Sequence, residues 1–136
     1  MKTRNITNMR GQGGFTLIEV IAVLVIVGML AAVAIPKYMD MQDQAAVGAV
    51  KGALAAGASN VTMVYSSQLI AGTFTVGSVN NTLANAPYTN VGDFTLAYSV
   101  NGNNIDVAVT SSLVNAINQR IGAMNNSDKI KTVPLQ

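Results

Sequence analysis

Phe15 to Ile35 reads FTLIEVIAVLVIVGMLAAVAI, 21 residues with one charge, Glu19. As a helix the run spans about 31 Å at ~1.5 Å per residue, close to the ~30 Å hydrocarbon thickness of a bilayer. No polar face exists between Val20 and Ile35, so the pattern is not that of an amphipathic soluble helix. Lys2, Arg4 and Arg10 precede it with no acid among them. That charge bias keeps the N-terminus cytoplasmic and sends the remainder outward. Two features exceed a plain anchor or a secretory signal peptide. Glu19 lies inside the apolar run, where a carboxylate is costly and therefore usually functional. Gly13-Gly14 marks the polar-to-apolar junction on the side where signal peptidase does not cut.

The rest of the composition narrows the chemistry. The chain has 136 residues, half of them apolar and only 10% charged, against about 25% charged in a typical soluble domain. It contains no Cys, His or Trp. Disulfides, thiolate metal sites, Cys nucleophiles and the usual imidazole base are thereby excluded. The formal net charge of +2 belongs to the leader: from Phe15 onward five basic residues face six acids, leaving −1. The basic balance is thus no evidence for a nucleic-acid groove. The glycines at 11, 13 and 14 lack the Lys-Ser/Thr of a phosphate loop, and Ser and Asp occur without a histidine to complete a triad. The chain reads as a non-enzyme without cofactor, catalytic residues or resident metal.

The stretch Gly14-Phe15-Thr16-Leu17-Ile18-Glu19, closed by Ala34-Ile35-Pro36-Lys37-Tyr38, resembles the type IV pilin family in the broad sense that includes type II secretion pseudopilins. The likeness is strong over the first third and weaker to about Ser67, where the sequence looks most like the mannose-sensitive haemagglutinin type of pilin. The resemblance implies a leader, 1–14, removed by a prepilin peptidase that cuts between Gly14 and Phe15 and N-methylates Phe15. It implies a transmembrane and assembly helix, 15–36, and a head, 37–136, periplasmic or extracellular. Glu19 would be the assembly residue, its buried acid neutralised by the amino group of a neighbouring subunit's first residue. Gly28 and Pro36 would bound a segment that kinks or unwinds in the filament. The partners so implied are other copies of the chain, the inner membrane, the peptidase and the pilus or type II secretion assembly machinery, with no nucleic acid. The implied location is the inner membrane, then an extracellular pilus or a periplasmic pseudopilus. A non-polymerising, membrane-anchored or secreted binding domain stands as the alternative from another class.

Beyond Pro36 the pattern turns amphipathic. Tyr38, Met41, Ala45, Ala49, Leu54, Ala58, Val61 and Tyr65 recur at three-to-four spacing, which predicts one helix from about Phe15 to Ser67, roughly 80 Å long. The expected fold is α+β: a long N-terminal helix, half transmembrane and half amphipathic, packed on a small antiparallel-sheet head in a pilin-like lollipop. Gly48 and Gly52 suit either subunit packing or a place beneath the chain's own sheet. Thr73 to Val79 reads as a short strand and Asn80 to Gly92 as a loop. Phe94 to Val100 and Ile105 to Thr110 alternate around Asn101-Gly-Asn-Asn104, a strong hairpin signal. Ser111 or Ser112 is placed to cap a helix carrying Leu113, Ala116, Ile117, Arg120, Ile121 and Met124. Lys129 to Val133 reads as an edge strand before Pro134. Without a cysteine pair, something else must secure the C-terminal segment. Asp93, Asp106, Asn125, Asn126, Ser127 and Asp128 offer oxygens for a calcium ion, but no EF-hand spacing is present.

Overall fold

The computed structural model describes residues 14–135, so residues 1–13 of the expected leader lie outside the described residues. Residues up to Met39 form one compact unit and Asp40–Gln136 another. Helix α1 (Leu17–Ile70) contributes to both. It is followed by α2 (Val76–Leu83), β1 (Asn90–Val91), β2 (Phe94–Asn101), β3 (Asn104–Ser112), α3 (Asn115–Ala123), α4 (Asn126–Lys129) and β4 (Ile130–Pro134). This is the expected α+β arrangement, a long N-terminal helix with an antiparallel four-stranded sheet.

In the first unit α1 presents its apolar side chains outward. No residue from 14 to 39 is buried. Pro36 lies inside α1. Its ring nitrogen has no proton to donate, so the Ala32 carbonyl one turn earlier lacks its intrahelical partner.

In the second unit the sheet is a meander in the order β1-β2-β3-β4, each strand antiparallel to its sequence neighbour. The register pairs Leu96 with Val109, Tyr98 with Val107 and Val100 with Ile105. One face is therefore apolar, as alternation requires. Against it pack Val50, Ala53, Leu54, Val61 and Val64 of α1, with Val79 and Leu83 of α2. The buried stripe on α1 is Ala46, Val50, Ala53, Leu54, Gly57, Val61 and Val64. Only Leu54 and Val61 of the expected stripe belong to it. Tyr38, Met41 and Ala45 are exposed, and within the second unit burial begins one residue later, at Ala46 and Val50. Gly57 makes the closest approach: an added Cβ would sit 2.6 Å from Val107 Cγ1 and 2.8 Å from Leu96 Cδ1. Gly48 and Gly52, by contrast, face open space and are exposed, not beneath the sheet.

Three local expectations need correction. The segment 73–79 is not a strand, and the loop expected from Asn80 begins only after Leu83. Thr75 caps α2: its side chain accepts from Ser78 N at 3.0 Å while Ser78 Oγ accepts from Thr75 N at 3.1 Å. This reciprocal box satisfies two otherwise orphaned donors and outweighs the β-branched composition. Ser111 and Ser112 do not cap α3. They end β3, and Ser112 Oγ accepts instead from Val114 N at 3.2 Å. Leu113, expected on the buried face of that helix, is 80% exposed. The hairpin is as expected: Asn101 pairs with Asn104, and Gly102 takes φ +62° in the two-residue turn.

Candidate functional site: the start of α1

Gly14 and Phe15 precede α1 and are exposed, Phe15 by 89%. Thr16 is the residue that turns extended chain into helix. Its backbone N–H and its hydroxyl donate to Glu19 Oε2 at 2.8 and 2.7 Å, and Glu19 N–H donates to Thr16 Oγ1 at 3.3 Å. This is a capping box. The first turn of a helix holds unpaired N–H groups and a partial positive charge, and a carboxylate there satisfies both. Glu19 therefore has a local partner in the single chain, and its other oxygen accepts no bond from Thr16. The signal for Thr16 is present in the sequence as Thr-x-x-Glu before an apolar run.

From Leu17 to Ile35 the exposed side chains are aliphatic apart from Glu19. The helix is long and apolar enough to cross a membrane, and no residue of its most apolar window is buried. Gly28 lies midway with nothing within 4 Å of an added Cβ. The residues singled out from sequence thus fall along one helix. Gly14, Phe15 and Glu19 gather at its start, with Gly28 and Pro36 farther along. An exposed apolar rod with one carboxylate in its first turn can associate laterally. It offers no pair of groups arranged for acid–base or nucleophilic chemistry.

Two of the three carboxylates considered for calcium are engaged separately. Asp128 pairs with Lys51 at 3.2 Å, and Asp106 accepts from Asn101 and Thr132. Among the described residues no three His, Cys, Asp or Glu side chains gather as a metal site. The C-terminal segment is tied to α1 by ion pairs. Arg120 on α3 pairs with Asp43 and donates to Gln42 Oε1 at 3.1 Å, while Lys51 holds Asp128 on α4.

Residues 9–35 match the family model of the prokaryotic N-terminal methylation motif. Type II secretion system core protein G of Pseudomonas aeruginosa is 48% identical over 54 residues, 40% of this chain and 38% of that protein. The type IV major alpha-pilin of Moraxella bovis is 47% identical over 53 residues, 39% of this chain and 33% of that protein. The N-terminal third of the chain is thus similar to type IV pilins and type II secretion pseudopilins. The type IV narrow pilus major component of Thermus thermophilus is 56% identical over 32 residues, 24% of this chain and 28% of that pilin. The chain spans about a third of the length of the curated relatives it matches. No solved structure matches it.

Proposed function

We propose that the chain is a structural subunit of a type IV pilus. A prepilin peptidase cuts between Gly14 and Phe15 and N-methylates Phe15, and the mature chain polymerises through α1 into a helical filament serving adhesion, motility or DNA uptake. The observation that carries this reading is the exposed apolar helix beginning in the Thr16–Glu19 box, within a matched methylation motif. In the inner membrane the apolar side chains face lipid. In a fibre they face the helices of neighbouring subunits. Glu19 exchanges Thr16 for the amino group that cleavage creates on a neighbouring Phe15, which neutralises a buried acid. Gly28 to Pro36 is the segment that gives way, since the Ala32 carbonyl is already without a helical partner and Gly28 weakens the helix. A heterologous contact of this kind does not close on itself and so yields a fibre.

A second reading, a periplasmic pseudopilus subunit of type II secretion, is favoured by the 48% identity to core protein G. N-terminal sequencing and intact mass of the protein from sheared surface material and from membranes separate the two. N-methylated Phe15 at the start of the chain in the sheared fraction supports the pilus, and the same start confined to membranes supports the pseudopilus. A start at Ile35 means an ordinary signal peptide and overturns both. Glu19→Ala is expected to leave cleavage intact and reduce sheared filaments at least tenfold. Unchanged filament yield favours a role for Glu19 in helix capping alone, and a wild-type chain that never polymerises favours an anchored binding domain.

A further inference from the structure

We propose that Asn101 is a site of spontaneous deamidation, and that its conversion loosens the C-terminal edge strand β4. The sequence contains one Asn-Gly dipeptide, Asn101-Gly102, and the fold sets it at the exposed tip of the β2–β3 hairpin. The missing side chain at Gly102 leaves its backbone nitrogen open to approach, and a Cβ built there meets nothing within 4 Å. No bond from the Gly102 N–H occurs among the turn and loop bonds of the described residues. That nitrogen can attack the Asn101 side-chain carbonyl carbon. A carbon–nitrogen bond forms, the bond to Nδ2 breaks, and Nδ2 leaves as ammonia carrying the proton displaced from Gly102. Water then opens the resulting five-membered imide at either carbonyl, giving aspartate or isoaspartate at position 101 and restoring the Gly102 N–H.

The position matters because of what the amide holds. Asn101 Nδ2 donates to Asp106 Oδ2 at 2.9 Å, and Thr132 Oγ1 of β4 donates to Asp106 Oδ1 at 2.5 Å. Asp106 therefore joins the hairpin tip to the edge strand. The same turn accepts from the far end of β4, where Leu135 N donates to Asn103 O at 3.2 Å. Conversion replaces a donor beside Asp106 with a second carboxylate, and the two repel. The isoaspartate product also adds a backbone atom to a two-residue turn whose geometry fixes the register.

The test uses the full chain in detergent micelles, held at mildly alkaline pH and sampled over days. Peptide mass mapping reads conversion at each asparagine, and hydrogen exchange reads the amides of Lys131 and Val133. Conversion at Asn101 is expected to run several-fold faster than at Asn125 or Asn126, with several-fold faster β4 exchange in the converted fraction. Asn101→Gln keeps a donor amide but closes the ring far less readily, and should hold β4 exchange constant over the same period. Asn101→Asp should reproduce the loosening, and adding Asp106→Asn should reverse it. Conversion at Asn101 no faster than at the other asparagines overturns the proposal, as does conversion with unchanged β4 exchange.

Discussion

Gly57 shows how a single absent side chain sets the spacing of two layers. Its α-carbon stands where the sheet comes closest to α1, against Val107 and Leu96. Val107 is β-branched and has little freedom to move aside. Gly57→Val is therefore expected to cost about 1–3 kcal/mol by overpacking, seen as a lower midpoint in thermal unfolding. Gly48→Ala, facing open space, should be neutral or mildly stabilising through helix propensity. Tyr98 lies on the same interface. Its hydroxyl donates to Tyr88 O at 2.8 Å, and burial raises its pKa, with a bond to Asn60 opposing the shift. The unfolded chain releases this proton near pH 10, whereas the folded chain retains it to higher pH. The contribution to stability is complete below about pH 10 and is lost as pH rises through the folded value. Tyr98→Phe should flatten that alkaline decline and cost about 1 kcal/mol at neutral pH from the lost hydrogen bond, measured by denaturant unfolding across pH.

At the scale of elements, the attachment of α3 to α1 answers the missing cysteine pair. Arg120 is the more enclosed member of its pair, and Asp43 is largely exposed. A double-mutant cycle with Arg120→Met and Asp43→Asn should give a coupling of roughly 0.2–1 kcal/mol that shrinks with added salt. A salt-independent coupling would mean that Arg120 acts through the packing of its stem against α1. This clasp was not legible in the sequence, since it joins residues 77 apart and nothing local marks either one. The hairpin and β4 were legible because alternation and turn chemistry are local signals. α2 was hidden for the opposite reason: Thr73, Phe74, Thr75 and Val76 look like strand, and the Thr75–Ser78 box that decides the matter uses a less familiar pairing than Ser/Thr with Glu. The stripe on α1 was misplaced mostly by one residue in phase: Ala45, Ala49, Ala58 and Tyr65 were expected inward where Ala46, Val50, Gly57 and Val64 are buried. At the start of α1, Glu19 stood out because a charge in an apolar run is rare. Thr16 did not, since a hydroxyl at that place is unremarkable until its carboxylate partner is seen.

Across the whole molecule, apolar surface is distributed unevenly between the two units. Every core side chain of the described residues comes from Ala46 onward, whereas residues 14–39 contain none that is buried. A chain begun at Asp40 should therefore keep its folded core and remain monomeric without detergent, as checked by circular dichroism and light scattering. The full-length chain should require detergent or membrane to stay dispersed. Loss of cooperative unfolding in the shortened chain would mean that the first unit supports the core.

The meander has a kinetic meaning as well. β1, β2 and β3 pair in turn across two-residue connections, whereas β3 and β4 are joined through residues 113–129, which carry α3 and α4, so closing the first three strands costs little loop entropy. The contacts that span long stretches of chain are those between α1 and the sheet, such as Val50 and Val61 with Leu96 and Val107 in one core. A long helix propagates from its own local hydrogen bonds. Two largely locally encoded pieces then have to meet, and their docking is the step expected to set the folding rate of the head, so core substitutions at Val50 or Val61 should slow refolding in stopped-flow measurements.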